Sequence, residues 1–336
     1  MSPSPNKIHT RAEEGLRAVL PRSVNLHPVQ RDLNYNLKIN GTPIQVKWIG
    51  ECGLRQAREM LAAPPHRPTV VVARRMSPGA REEFSKAGIG WVDETGAAEI
   101  VFGQLIVSKT GRSEPKLEKP LHWTPSVLAV TEALICGTKP TVSATAAITT
   151  LSVASCTNAL QTLTKLKLLT AGAKRGRESA RHIADPDQLL DAYATAILAQ
   201  DRTPHLTVGA TWRDLISGLS DAAKGWNKAG RAWAATGAIA ANVMAPYLTS
   251  VSSGVVYVDA DTLAGLESAA LDIGLRPIDG GRITLRPFPT VTTKQLVQNL
   301  KGLKVAPWPR VYVDLRRVGV RGEEAAEHLR EVLRGK

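Results

Sequence analysis

Long apolar runs are missing from this 336-residue chain, and so is most of what would mark a secreted or membrane protein. The most apolar stretch, Thr236 to Leu248, is interrupted by Asn242 and Pro246, well short of a membrane span. The start, MSPSPNKIHTRAEEG, has no apolar h-region and does not read as a signal peptide. Cysteine is scarce: Cys52, Cys136 and Cys156 are isolated and odd in number, which argues against a disulfide framework or a zinc pattern. The seven histidines are scattered without a close pair. Gly-x-Gly-x-x-Gly, GxxxxGK[ST] and HExxH are all missing, and no unit repeats. The expectation is a cytoplasmic protein, nucleoid-associated if it binds DNA, without membrane partner, cofactor or metal, and not an enzyme.

What is present begins with charge. Lys and Arg number 43 against 30 Asp and Glu, a formal net of +13. Such a surplus attracts polyanions, and it also merely keeps a protein soluble. Apolar residues make up 43%, enough for a real core, and the length suggests two or three domains.

The first segment, residues 1–112, alternates short strands and helices. A helix is expected from Thr10, with Glu13 at capping-box spacing, to Leu20 before Pro21. Asn40-Gly41 marks a hairpin turn, Gly53 to Ala63 a helix, and Pro68 to Ala73 a buried strand. Ser77-Pro78 opens a further helix, and strands follow at Gly90 to Asp93 and Ala98 to Phe102. This is an α/β domain, and the polar stretch Ser108 to Pro120 reads as a linker.

In residues 121–200 the period changes. Helices are expected at Pro125 to Leu134, Thr141 to Ile148 and Leu151 to Lys165, followed by a strand, a glycine-containing loop and a second strand. The third helix puts Val153, Cys156, Ala159, Leu160, Leu163 and Leu166 on one stripe and a polar set on the other side. Two short helices, a tight turn and a basic strand-loop-strand are the parts of a winged helix-turn-helix, whose second helix enters the major groove. The candidate base-reading residues are Ser152, Ser155, Thr157, Asn158, Gln161 and Thr162. Asn and Gln pair bidentately with adenine, and Ser and Thr serve bases or phosphates. Lys165, Lys174, Arg175, Arg177 and Arg181 are candidate backbone or wing contacts. The span Lys165 to Arg181 holds six basic residues and one acidic.

Residues 204–336 again mix helices with strands, as an α/β or α+β domain. Helices are expected at Trp212 to Ala222, Gly237 to Tyr247 and Thr262 to Leu271, with strands at GVVYVDA, Gly281 to Leu285 and Arg310 to Val313. A closing helix covers Gly322 to Leu333. Arg282 and Arg286 alternate on RITLR and, with Lys47, are candidate accessory backbone contacts. Asp259 and Asp261 follow a strand and suit a cap or loop better than a divalent site.

The hairpin after Asn40-Gly41 ends in Gln45-Val46-Lys47. A restriction-endonuclease-like enzyme carries Glu-x-Lys there and an acid on the preceding strand, which here is YNLKI. Gln anchors a hard divalent cation poorly. Asp32 and Glu51 are the nearest carboxylates. The expected domain is therefore a degenerate nuclease-like fold; the enzyme alternative is a divalent-metal nuclease using Asp32, Glu51 and Lys47.

Three stretches resemble the AbiEi-type antitoxins and transcriptional regulators of bacterial type IV toxin-antitoxin systems. They are Val70 to Ile100, with Asp93 and Gly96; the winged-helix segment; and Val311 to Leu333, with Asp314, Leu315, Gly319, Arg321, Gly322, Glu324, Ala325, Ala326 and Leu329. The resemblance implies a regulator that binds double-stranded DNA and represses its own operon. It further implies neutralisation of a nucleotidyltransferase-like toxin as partner. The alternative it leaves is a toxin-neutralising interaction protein with marginal DNA binding.

Overall fold

The computed structural model describes residues 5–31, 35–63, 68–103, 105–111, 123–171, 181–199, 204–247 and 250–334. The chain divides into two compact units, Met1–Lys116 with Gly319–Glu324, and Leu117–Val318 with Ala325–Lys336.

In the first unit, α1 (Pro5–Val19) is followed by β1 (Leu26–Arg31), β2 (Tyr35–Ile39) and β3 (Thr42–Cys52). Then come α2 (Leu54–Leu61), β4 (Thr69–Met76), α3 (Pro78–Lys86), β5 (Gly90–Asp93), β6 (Ala97–Phe102) and β7 (Leu105–Thr110). The seven strands form one sheet in chain order. β3, β4 and β5 run parallel, because α2 and α3 carry the chain back between them; the outer pairs are antiparallel hairpins. Strand alternation splits β4 between two cores. Val70 and Val72 pack with Leu16 and Val19 of α1, whereas Val71 and Ala73 pack with Ala57 of α2 and Phe84 of α3. The sheet is thus covered by helices on both faces.

Local chemistry explains the joints. Asn40 and Gly41 both have positive φ, 48° and 84°, as a two-residue hairpin turn requires. Ser77 caps α3, its hydroxyl accepting from the Ala80 amide at 3.3 Å. Two expectations shift. α1 begins at Pro5, so Thr10 lies inside the helix and does not cap it, and Glu13 instead pairs with Arg17 one turn on. β7 continues through Thr110, into the stretch expected as linker.

The second unit starts with α4 (Pro125–Ile135), α5 (Val142–Thr149), α6 (Val153–Lys165), β8 (Leu169–Ala171), β9 (Arg181–Ile183) and α7 (Pro186–Leu198). It continues with β10 (Leu206–Val208), α8 (Leu215–Ala222), α9 (Lys224–Lys228), β11 (Trp233–Thr236), α10 (Gly237–Met244), β12 (Gly254–Val258) and α11 (Leu263–Leu271). It closes with β13 (Ile283–Pro287), α12 (Val291–Gln295), β14 (Gln298–Leu300), β15 (Leu303–Val305), α13 (Trp308–Leu315) and α14 (Val320–Leu333), whose first residues fall in the other unit. A six-stranded mixed sheet runs β10-β13-β12-β11-β15-β14, and β8 with β9 makes a separate antiparallel ribbon.

One apolar core joins the helices from Trp123 onward to this sheet and to Ala325, Ala326 and Leu329. α4 is its axis, buried continuously from Val127 to Leu134. Arg310 to Val313, expected as a strand, belongs to helix α13. Every residue from Pro309 to Leu315 is buried; the short run Val311-Tyr312-Val313 is made of strand-forming residues, and Arg310 and Asp314, one helical turn apart, are the helical signal that the strand reading passes over. Among the described residues no helix is long and apolar enough to cross a membrane.

Candidate nucleic-acid interface

The most site-like surface lies on α6. α5 ends at Thr149, and Thr150 takes a left-handed conformation with φ 54°. Only Thr150, Leu151 and Ser152 separate the two helices. The turn is held from within: the buried Thr149 hydroxyl donates to the Thr145 carbonyl at 2.7 Å and lies 3.7 Å from the Cys156 sulfur. Ser152 then caps α6, accepting from the Ser155 amide at 3.1 Å.

At 3.6 residues per turn, Ala154, Asn158, Gln161 and Lys165 fall on one line of α6, and all four are exposed. Ser155 and Thr162 flank that line on one side and Thr157 on the other, each partly buried. Opposite them Cys156, Ala159, Leu160 and Leu163 are buried against α4 and α5. Val153 does not join this stripe: it is 66% exposed, at the first helical position.

The polar residues divide by how their groups are used. Ser152 is occupied as the cap, and its hydroxyl also donates to the Ser155 hydroxyl at 3.0 Å. The Thr157 hydroxyl donates to the Val153 carbonyl at 2.8 Å. Asn158 and Gln161 carry both donor and acceptor groups into solvent.

The ribbon follows α6 directly, pairing Leu169 with Ile183 and Ala171 with Arg181. Arg181 is half-buried, its Nε without a hydrogen bond among the described residues. Lys174, Arg175 and Arg177 lie outside the described residues.

The accessory candidates are not gathered together. Arg282 precedes β13 and donates to the carbonyls of Trp212 at 2.7 Å and Ser252 at 3.0 Å, which ties two loops together. Arg286, on β13, is half-buried with its Nε unpartnered among the described residues. Lys47 is half-buried on β3 in the other unit, opposite Val71 of β4. Nearby Glu51 is engaged by Arg74, whose Nε and Nη2 lie 3.1 and 2.8 Å from one carboxylate oxygen. Asp32 lies outside the described residues. Asp259 pairs with Lys294 at 2.7 Å, and Thr262, not Asp261, caps α11. Among the described residues no three His, Cys, Asp or Glu side chains are grouped as a metal ion would need.

A buried ionic cluster in the second unit was not anticipated as a cluster: of its members only Asp314 was singled out in the sequence, within the closing stretch Val311 to Leu333. Glu132 on α4 accepts from the Thr293 hydroxyl at 2.9 Å. Asp314 on α13 accepts from Thr236 at 2.7 Å and from Tyr257. Arg310, Tyr193 and Tyr257 are buried with them and interact electrostatically. Burial pushes the Glu132 carboxyl above the usual carboxylate range, and Arg310 and Thr293 offset this only in part. Burial lowers the Arg310 guanidinium, but its acidic neighbours more than reverse that and hold it protonated. Isolated charges within apolar stretches were the available signal, and they are equally common on solvated faces.

The chain matches no family model, no curated protein and no solved structure.

Proposed function

We propose that this chain is a sequence-specific double-stranded DNA-binding transcriptional regulator of the AbiEi antitoxin type, acting on its own operon. In this reading α4, α5 and α6 with the β8–β9 ribbon form a winged helix-turn-helix, and α6 is the recognition helix. One observation carries it: α6 follows a three-residue turn, buries its apolar side, and presents Asn158, Gln161 and Lys165 on one exposed line. A major-groove helix needs such a division between its two sides. The three helices and the ribbon in that order support the same reading.

The first unit is read as a restriction-endonuclease-like fold that has lost cleavage. Its strand β3 carries Gln45 where such enzymes place a metal-binding acid, and Arg74 pairs with Glu51. It then contributes binding instead of chemistry.

A gel-shift titration against DNA from the chain's own upstream region tests the reading. Replacing Asn158 and Gln161 with Ala should cost about 1–3 kcal/mol of discrimination for each bidentate base pairing removed. Arg175→Ala with Arg177→Ala should weaken binding to all sequences equally and flatten its salt dependence. Unchanged binding by both double variants would end the assignment.

A further inference from the structure

The exposed apolar residues of α5 and α6 all flank the turn between them. Ala147 and Ile148 lie in the last turn of α5, and Val153 and Ala154 open α6. Single exposed apolar side chains are ordinary on a protein surface, whereas a group of them around one turn marks a contact surface. Val153 is the more open of the two large ones, 66% exposed against 36% for Ile148.

Val153 does little for the free chain. Cys156, Ala159, Leu160 and Leu163 make up the buried side of α6 without it. Ser152, not Val153, caps the helix, and a β-branched residue is a poorer helix former than alanine. Most of the burial energy that a valine side chain offers is therefore unrealised until something covers it.

This inference rests on the reading of α6 as a recognition helix, whose N-terminal residues lie nearest the base edges. Val153 and Ala154 are its first two positions, ahead of Asn158 and Gln161. Val153 stands one helical turn before Thr157, on the same flank of the Asn158–Gln161 line. Thr157 and Thr164, both on that flank, donate their hydroxyls to the carbonyls of Val153 and Leu160, each at 2.8 Å. The flank thus presents hydrocarbon and no free hydroxyl donor. In the major groove the features that distinguish base pairs are hydrogen-bonding groups, with one exception, the pyrimidine C5-methyl. Thymine always carries that methyl, and cytosine carries it when 5-methylated.

We propose that Val153 is a specificity-determining residue that packs on the C5-methyl group of one pyrimidine in the bound DNA, with Ala154 beside it.

The test is a gel-shift titration of the full chain on the site located by footprinting its upstream DNA, with bases changed one at a time. Deoxyuridine in place of thymine removes the methyl and leaves the pairing intact; 5-methylcytosine in place of cytosine adds it. At one position, wild type should lose about fourfold in affinity on the uracil change, or gain about fourfold on the methylation, the contribution of one buried methyl. A response to uracil identifies thymine as the source, and a response to methylation identifies 5-methylcytosine. Val153→Ala should lose most of that response while its urea midpoint stays that of wild type, because the free fold makes little use of the isopropyl group. Two results would overturn the proposal: no methyl effect at any position in wild type, or a methyl effect that Val153→Ala retains in full. If Asn158→Ala with Gln161→Ala still loses discrimination in the same titration, the DNA-binding reading survives that failure. A chain that selects no DNA sequence overturns both.

Discussion

Arg310 is 6% exposed and shares its buried surroundings with two carboxylates, Glu132 and Asp314. Removing one partner of such a group is far worse than never having built it, because the remaining charges stay buried without compensation. Arg310→Met should cost about 3–5 kcal/mol of stability, read from urea unfolding of the full chain. Glu132 gives a pH test. Its folded pKa is raised by burial, so the folded state holds this proton where the unfolded state has lost it. Stability from this group is complete below the ordinary value of 4.5 and falls as pH rises from there through the folded pKa. Glu132→Gln lacks that fall. Its urea midpoint relative to wild type should therefore rise between pH 4.5 and neutrality. A constant difference across that window would refute the assignment. No periodicity in the sequence joins Glu132 to Arg310, because they meet only after α4 and α13 have packed.

α6 depends on the residue that caps it. The Ser152 hydroxyl satisfies an amide that the helix cannot satisfy itself, so Ser152→Ala should cost about 1 kcal/mol in thermal or chemical unfolding. The same change should weaken DNA binding, since the frayed turn carries Ser155. The cap at Ser77 and the turn at Asn40-Gly41 were legible because their chemistry is local, whereas Ser152, expected inside the helix as a base-reading residue, turns out to be its cap. The hairpin of β14 and β15 turns at Lys301-Gly302, also with two positive φ values. It is hidden in the sequence because its strands are three residues each, too short to alternate visibly. α13 passes for a strand for a different reason: Val311, Tyr312 and Val313 are strand-forming residues, and the single pair Arg310 and Asp314, one helical turn apart, is too brief a pattern to outweigh them.

Across the whole chain, the net charge of +13 and the local cluster make different predictions for salt. Each neutralised phosphate contributes a slope of about −0.9 to log K against log salt, so five contacts from Lys165, Lys174, Arg175, Arg177 and Arg181 predict about −4.5. Thirteen would predict about −12. The expected result is the shallower slope, measured by titrating DNA affinity from low to physiological salt. A slope near the steeper value would move recognition from the α6 face to the general charge of the molecule.

Local sequence was enough to specify the alternating α/β elements of the first unit, the short turn before α6, and which side of α6 is polar, since each follows from neighbours within one or two turns of chain. Two features came only with packing. The central helices and the C-terminal sheet share one core around α4, and Glu132, Arg310 and Asp314 lie buried together. These arise where residues more than a hundred positions apart are forced to fill the same space. Close packing and desolvation act there with no counterpart in local spacing.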